Sequence, residues 1–394
     1  MTSPTATADA LARAAVLRVG RRMDHGTLVL HEASTPILLG GGEPVVAVTI
    51  ADPRAYRALL RGSPALADAY VRGWWTSDDL TGLFRLLHRN LAGVFGVIER
   101  AATAARPLLD PPARLRRRDK QADRRNIRTH YDIGNDFYAL MLDSTMTYSC
   151  AVFDRPGLTL ADAQTAKLDR LCRLLDLSPT DHLVEIGTGW GGLATHAAAT
   201  YGCRVTTTTI SDAQHDYATK RVAEAGLADR VTVLDADYRD LDGTYDKLVS
   251  VEMIEAVDWR DHDTYFAACA GLVREGGRAA IQAILINERS FERTKRHDDF
   301  LRRTIFPGGC LPSLQSIDTA STRAGLRLLE LHDIGEHYPE TLRAWRANVA
   351  GHEAEVTELG LGQDFRRLWD FYLTYCEAAF LEHHVSDVQM LFAR

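Results

Sequence analysis

The chain has 394 residues, of which 46% are hydrophobic and 25% charged, and its formal net charge is −7. This length favours two domains, and the negative balance argues against a nucleic-acid partner. Its six cysteines form no C-x-x-C pair, which predicts no metal site and indicates reduced thiols in a cytoplasm. The start, Met1 to Ala10, lacks the apolar core of a signal peptide, and no apolar run reaches the roughly 18 residues of a membrane-spanning helix.

The first 115 residues carry the pattern of a small α+β domain. A helix is predicted before residue 20, and short strands between Gly26 and Ile50 with a turn at Gly40-Gly41-Gly42. Helical periodicity follows, and the run Ser77-Asp78-Asp79 is typical of the N-cap of a further helix. Trp74 and Trp75 fit either a core or a membrane-interface anchor.

A proline-containing and then basic segment follows this domain. It includes Pro107, Pro111 and Pro112, and arginines are frequent from Arg114 to Arg128. We interpret it as the linker between an N-terminal lipid-engaging domain, residues 1–115, and a catalytic domain, residues 116–394. The basic run fits a solvated linker, or a contact with anionic lipid worth about 1 kcal/mol per basic residue.

From about Leu160 onward, predicted helices alternate with predicted strands. The strands are expected at 183–186, 205–210, 231–235, 247–251 and 279–284, and this alternation predicts a mostly parallel, doubly wound α/β sheet of Rossmann-like type. Sites in such sheets lie beyond the carboxyl ends of the strands. The polar residues at or near these ends are Glu185, Ser211, Asp237, Glu252 and Gln282.

A glycine-rich turn follows the first of these strands. Gly187, Gly189 and Gly192 match G-x-G-x-x-G, but the next strand lacks the terminal acid, roughly 20 residues on, that an NAD site requires. The acid instead precedes the turn, at Glu185, which is typical of the S-adenosylmethionine (SAM) loop of Rossmann-like methyltransferases. A turn that only packs a helix on a strand is the alternative.

Several further segments carry a family resemblance. They are Arg128 to Tyr138 (RTHYDIGNDFY), Met146 to Ala151 (MTYSCA), Val251 to Val257 (VEMIEAV) and Ile305 to Ser313 (IFPGGCLPS). With these motifs the chain, from about residue 60 to its C-terminus, resembles the cyclopropane-fatty-acyl-phospholipid synthase family. The resemblance implies SAM as cofactor and a cis double bond in a phospholipid acyl chain as the acceptor.

The resemblance and the glycine turn together predict the cofactor site. Tyrosine faces suit a sulfonium cation, and glycine amides suit the methionine carboxylate. The predicted SAM-binding residues are Tyr131, Tyr148, Ser149, Glu185, Gly187, Gly189, Gly191, Thr209, Gln214, Tyr238 and Arg239.

The resemblance also implies how the reaction ends. Methyl transfer to an alkene leaves a carbocation, and the family uses a bound bicarbonate to remove a proton from it. Matching positions are Cys150, Glu255, Gln282, Ile284 and Tyr338, with Glu255 orienting the bicarbonate and Tyr338 bonded to it. Cys376 is a further catalytic candidate, although pocket lining is the alternative because nothing in the sequence lowers its pKa. Glu255 alternatively complements a helix dipole.

Gln282 departs from the family pattern, since many bacterial synthases have His there. Glutamine donates and accepts hydrogen bonds but does not titrate near neutral pH. The surrounding residues resemble an actinobacterial subgroup whose members include enzymes that form a 10-methylene branch, later reduced, instead of a cyclopropane. Both products derive from one cation, so both stay open, and the first implies a reductase partner.

These inferences predict a cytoplasmic enzyme associated peripherally with the inner face of the cell membrane, with a homodimer among the compatible assemblies. Two alternatives remain at this point. One is methyl transfer to a small soluble acceptor, and the other is a non-catalytic lipid-binding partner.

Overall fold

The computed structural model describes residues 4–32, 35–90, 133–296 and 299–394. The predictions for the basic run from Arg114 to Arg128 and for Tyr131 fall outside these ranges. Among the described residues, no helix is both long enough and apolar enough to cross a bilayer.

The N-terminal segment forms a small mixed sheet with helices. Its strands have the order β2-β1-β3-β4, with β1 antiparallel to β2 and parallel to β3. Asp79 caps α4 by accepting a hydrogen bond from the Gly82 amide at 2.7 Å, which confirms the predicted N-cap run. The elements are α1 (Pro4–Gly20), β1 (Gly26–His31), β2 (Ile37–Gly41), β3 (Val45–Ile50), α2 (Arg54–Leu60), α3 (Ser63–Val71), β4 (Trp75–Thr76) and α4 (Leu80–Arg89).

The chain continues with a second, seven-stranded sheet and with further helices. The helices are α5 (Asn135–Met141), α6 (Leu160–Leu174), α7 (Gly192–His196), α8 (Asp212–Glu224), α9 (His262–Leu272), α10 (Glu288–Thr294), α11 (Leu314–Arg323), α12 (Tyr338–Gly351), α13 (Glu353–Glu358) and α14 (Gln363–Leu381). The strands are β5 (His182–Ile186), β6 (Arg204–Thr209), β7 (Val231–Asp235), β8 (Tyr245–Val251), β9 (Val273–Ile286), β10 (Arg327–Asp333) and β11 (Val385–Ala393).

The sheet order β10-β11-β9-β8-β5-β6-β7 confirms the doubly wound prediction. The five strands from β9 to β7 are parallel, and β11 and β10 add antiparallel to the β9 edge. The sequence prediction did not include β10 and β11. It also placed β9 over 279–284 only, whereas pairing with β11 from Val385 to Ala393 extends this strand.

Apolar side chains fill both faces of this sheet. Val184 and Leu248 are completely buried with helix α9 on one side, and Leu183 and Val249 pack with helix α7 on the other. Such two-sided burial is typical of parallel sheets. It leaves the carboxyl ends of the strands as the place where polar side chains can meet.

The chain divides into two compact units. The first contains Met1–Arg117 together with His297–Ile305 and Glu353–His384, two later segments that the predicted boundary near residue 115 assigns to the other domain. The physical reason is α14, whose Phe371 ring lies 5.6 Å from that of Tyr70 and 4.9 Å from that of Phe84. Trp75, only 2% exposed, belongs to this same core.

Candidate active site

The glycine turn lies where the sequence predicted it, between the end of β5 and the start of α7. Gly187, Gly189 and Gly191 have φ values of 98°, 51° and 81°, a region that favours glycine. The amides of Gly187 and Thr188 both donate to the carbonyl of Thr208 at 3.0 Å, which fixes the turn against β6. The predicted strand-turn-helix context of the motif is therefore confirmed.

Glu185 lies within β5 and points into the protein interior. It is 3% exposed, and its Oε2 accepts a hydrogen bond from the Thr207 hydroxyl at 2.5 Å. Burial raises the pKa of Glu185 to about 8, and the Thr207 hydrogen bond and Lys167 oppose this rise only in part. The described contacts of this carboxyl are thus internal, and its role in SAM binding stays a prediction.

Four other predicted SAM-binding residues form two pairs beyond β6 and β7. The Thr209 hydroxyl donates to Oε1 of Gln214 at 2.9 Å, and both side chains are buried. Arg239 pairs with Asp237 at 2.6 Å, and its guanidinium lies 5.6 Å from the centre of the Tyr238 ring. These side chains are therefore held in fixed positions near the carboxyl ends of neighbouring strands.

Ser149 is anchored from helix α6. Lys167, which is completely buried, donates from Nζ to the Ser149 hydroxyl at 2.6 Å, and Gln164 donates to the Ser149 carbonyl at 2.8 Å. Burial lowers the pKa of Lys167, while the nearby Glu252 carboxylate opposes that change. This helix thereby fixes the backbone that leads into Cys150.

A continuous row of five aromatic rings starts at the glycine turn. The Trp190 ring lies 4.8 Å from Tyr138, which lies 5.4 Å from Tyr148. Tyr148 is in turn 5.1 Å from Trp345, and Trp345 is 6.2 Å from Tyr338. The row joins the predicted cofactor loop to the predicted catalytic tyrosine.

At the end of this row, the Glu252 carboxylate brings three of the predicted catalytic residues together. Its Oε1 accepts hydrogen bonds from the Cys150 backbone amide at 2.8 Å and from Nε2 of Gln282 at 2.9 Å. Its Oε2 accepts one from the Tyr338 hydroxyl at 2.6 Å. Met253, the next residue, lies against the loop, since a Cβ on Gly187 would come within 3.2 Å of its Cγ.

Gln282 is oriented by a chain of hydrogen bonds that begins at an arginine. Arg170 donates to Oε1 of Gln389 at 2.9 Å, and Nε2 of Gln389 donates to Oε1 of Gln282 at 3.0 Å. Because arginine only donates, this order leaves the Gln282 amide nitrogen facing two acids, Glu252 and Asp387, each at 2.9 Å. Glutamine therefore suits this position because its amide nitrogen carries two hydrogens.

Asp387 and Glu255 are buried acids beside this network. Burial and the nearby Glu252 carboxylate raise the pKa of Asp387 well above its usual range, and the same two causes raise the pKa of Glu255 to about 8. Glu255 Oε1 accepts a hydrogen bond from the Ile284 backbone amide at 2.5 Å. The structure thus brings two of the predicted catalytic residues, Glu255 and Ile284, into contact.

The two candidate cysteines have protonated thiols. Burial, with Asp387 and Glu252 nearby, raises the pKa of Cys150 well above its usual range, so this residue contributes its backbone amide to the site. Cys376 lies on α14 in the first unit, and burial raises its pKa as well. Among the residues described, no cluster of three or more His, Cys, Asp or Glu side chains is placed to hold a metal ion.

Sequence reasoning missed the central acid and its supports. Glu252 was noted only as a polar residue at a strand end, and Asp387, Gln389 and Lys167 were not identified at all. Strand β11, which carries two of these residues, was not predicted, and its register places Gln389 opposite Gln282. The usable signal was the pair of acids in Val251 to Val257, directly after a predicted strand.

Comparisons with known proteins identify the family of this chain. Residues 118–390 match the family model described as mycolic acid cyclopropane synthetase. The chain is 40% identical over 366 residues to tuberculostearic acid methyltransferase UfaA1 of Mycobacterium tuberculosis, covering 87% of this chain and 84% of that protein. It is 33% identical over 365 residues to the cyclopropane-fatty-acyl-phospholipid synthase of Escherichia coli K12, covering 91% and 90%.

A solved structure shows the same similarity in three dimensions. The crystal structure of mycolic acid cyclopropane synthase CmaA1, complexed with SAH and CTAB, superposes with a TM-score of 0.64 at 28% identity, covering 69% of this chain and 98% of that chain. The family model spans more than half of the sequence. The chain therefore belongs to the mycolic acid cyclopropane synthetase family, as a SAM-dependent methyltransferase of the cyclopropane-fatty-acyl-phospholipid synthase type.

Proposed function

We propose that this enzyme transfers the methyl carbon of SAM to the cis double bond of an unsaturated fatty acyl chain in a phospholipid. The observation that carries the proposal is the row of aromatic rings from Trp190 to Tyr338, which ends at the Glu252 carboxylate. An alkene attacks the methyl group with its π electrons and needs no base to activate it. The product of this attack is a carbocation. Aromatic faces and a fixed carboxylate are the groups that stabilise such a charge.

The residues of the glycine turn fit SAM, which supplies an electrophilic methyl group when bound. Gly187, Gly189 and Gly191, at every second position of the turn, have positive φ values. A Cβ on the neighbouring Gly192 would come within 2.8 Å of the Thr145 carbonyl oxygen. A side chain at Gly192 would therefore clash with the backbone at Thr145. The Thr209–Gln214 and Tyr238–Arg239 pairs would bind the nucleoside side, and Tyr148 would face the sulfonium.

Bicarbonate, the second group that the resemblance implied, does not fit the hydrogen bonds present. The resemblance placed it beside Cys150, Glu255, Gln282, Ile284 and Tyr338. Of these, the Cys150 amide, the Gln282 amide nitrogen and the Tyr338 hydroxyl all donate to Glu252. A bicarbonate at this place would have to replace Glu252 as the acceptor of these hydrogen bonds. We therefore derive no step through bicarbonate.

We further propose that the enzyme meets its substrate at a membrane surface. In the first unit, Trp74 is partly exposed and lies 4.3 Å from the Arg54 guanidinium and 5.8 Å from that of Arg72. Tryptophan and arginine together suit the headgroup region of an anionic bilayer. This supports the predicted lipid-engaging role of the N-terminal domain.

The test is a turnover assay with the purified full chain. Vesicles of dioleoylphosphatidylglycerol and SAM should yield S-adenosylhomocysteine, and mass spectrometry should find an acyl chain heavier by one CH2. Vesicles of the saturated lipid, dimyristoylphosphatidylglycerol, are the control and should yield neither product. Double-bond derivatisation then separates a methylene branch from a cyclopropane. Equal S-adenosylhomocysteine release from both vesicles, with no heavier lipid, would contradict the proposal.

A further inference from the structure

We infer that the Glu252 carboxylate is itself the proton acceptor of the reaction, in place of a bound bicarbonate. The inference rests on the proposed function and assigns a residue to its last step. The Tyr338 hydroxyl, which the family resemblance assigned to bicarbonate, donates to Glu252 instead. The base is thus part of the chain.

The hydrogen bonds of Glu252 show which of its oxygens remains able to take a proton. A carboxylate oxygen accepts about two hydrogen bonds. Oε1 already accepts two, from the Cys150 amide and from Gln282, whereas Oε2 accepts one, from the Tyr338 hydroxyl. Oε2 is therefore the oxygen that accepts fewer of these three hydrogen bonds, and it lies on the side where the aromatic row ends at Tyr338.

Two neighbouring acids, Asp387 and Glu255, favour their neutral forms beside Glu252. Gln282 donates one amide hydrogen to Glu252 and the other to Asp387. Asp387 is fully buried, and burial together with the neighbouring Glu252 raises its pKa well above its usual range, so its protonated carboxyl can hydrogen-bond to Glu252. Glu255 likewise favours its neutral form, because burial and Glu252 raise its pKa to about 8.

The backbone at Glu252 is itself unusual. Its φ of 48° lies in the left-handed region, which costs a residue with a Cβ about 1–2 kcal/mol. Its amide donates to the Gln282 carbonyl at 2.9 Å, so the turn is fixed against β9. Strain of this kind persists where the surrounding structure holds a functional side chain in place.

The step balances without any further reactant. The π electrons of the alkene form a bond to the methyl carbon as the carbon–sulfur bond breaks, and the released electron pair stays on sulfur as S-adenosylhomocysteine. A carbocation remains on the neighbouring chain carbon. For a cyclopropane, a C–H bond of the added methyl group breaks and its electron pair closes the ring onto the cationic carbon. For a methylene branch, a hydride first shifts from the methyl-bearing carbon to the cationic carbon, and the electron pair of a methyl C–H bond then forms the C=CH2 bond. In either case the proton passes to the Glu252 carboxylate. Water takes that proton before the next turnover.

The test uses the full chain, dioleoylphosphatidylglycerol vesicles and SAM in buffer freed of bicarbonate by acidification and argon purging. The wild-type enzyme should have the same kcat with and without added sodium bicarbonate at about 10 mM. Glu252→Gln should lose at least about 100-fold in kcat, because a general base contributes about 10²–10⁴-fold. Its affinity for SAM, measured by calorimetry, should stay unchanged.

Glu252→Gly supplies the sharper experiment. Glycine accepts the left-handed φ, so the variant keeps its fold while three donors lose their carboxylate. It should be inactive in bicarbonate-free buffer and regain at least about 10-fold when bicarbonate is added. Glu224→Gln, which removes an exposed carboxyl on α8, is the matched control and should behave as wild type.

Three results would overturn the inference. They are a wild type that needs added bicarbonate, a Glu252→Gln variant within 10-fold of wild type, and a Glu252→Gly variant that bicarbonate fails to restore. A wild type that transfers no methyl group to unsaturated lipid would instead contradict the proposed function. The two failures are therefore distinguishable in one assay.

Discussion

The acids near the ends of β5 and β8 are held in opposite ways, although the two strands are neighbours in one sheet. Glu185 has a single described donor, the Thr207 hydroxyl, and burial raises its pKa to about 8. Glu252 has three donors, from Cys150, Gln282 and Tyr338. The difference teaches that two acids near the ends of adjacent strands can have very different hydrogen-bonding surroundings.

The largest effect expected from this comparison is on the pH dependence of stability. Glu185 keeps its proton in the folded state up to about pH 8 but loses it near pH 4.5 when unfolded. The folded state therefore holds more protons between these values, and the free energy of unfolding should fall as pH rises, by up to about 1.4 kcal/mol per pH unit for this group.

Glu185→Gln should flatten that slope and be more stable than wild type at pH 8, because the amide cannot ionise and still accepts from Thr207. Urea unfolding at pH 5.5, 7 and 8 measures how the free energy of unfolding changes with pH. The exposed Glu224→Gln variant should keep the wild-type slope. A Glu185→Gln variant with an unchanged slope would show that this carboxyl is ionised, and the contrast with Glu252 would fail.

The two acids also differ in how far the sequence could predict them. The glycine turn and Glu185 lie in a continuous segment with its own pattern, so β5, the turn and α7 were predicted locally. Glu252 acquires its role from Tyr338 and Gln282, which are far apart in sequence and meet only through the sheet. Asp387 depends further on β11, whose antiparallel pairing with β9 no local pattern predicted.

The membership of the two compact units likewise depends on contacts between distant parts of the sequence. Helix α14 has an amphipathic pattern that identifies it as a helix but not as a partner of the N-terminal helices. Its Phe371 packs on Tyr70 and Phe84, about 300 residues earlier in the chain. Only tertiary contacts assign this helix to the first unit.

A second prediction removes one donor from Glu252. Tyr338→Phe keeps the ring beside Trp345 but deletes the hydroxyl that donates to Oε2. A hydrogen bond to a charged group contributes about 1.5–3 kcal/mol, so kcat should fall about 10–100-fold while SAM affinity is retained. The loss should grow as pH falls, because a carboxylate with fewer donors takes up a proton more readily.

The matched control is Tyr217→Phe, which removes a hydroxyl from a partly exposed tyrosine on α8. It should leave kcat within about 2-fold of wild type, as surface changes usually do. Steady-state assays from pH 6 to 8.5 compare the two. If Tyr338→Phe kept the wild-type kcat across this range, the Cys150 amide and Gln282 would be sufficient to hold Glu252, and the Tyr338 hydroxyl would have no role in turnover.

The smallest expected effect concerns the contact between the residues that follow β5 and β8. Gly187, which follows β5, has a φ of 98°, and a Cβ there would lie 3.2 Å from Cγ of Met253, the residue after Glu252. Gly187→Ala should cost about 1–2 kcal/mol in stability and weaken SAM binding about 10-fold, measured by urea unfolding and calorimetry.

Gly226→Ala, with a φ of 67° and no heavy atom within 4 Å of the new Cβ, carries similar backbone strain without that contact. It should lose stability but keep its SAM affinity, because only at Gly187 does the added methyl group press on the turn that positions Glu252. Equal SAM affinity in the two variants would contradict this prediction, because it would show that the contact between Gly187 and Met253 does not affect cofactor binding.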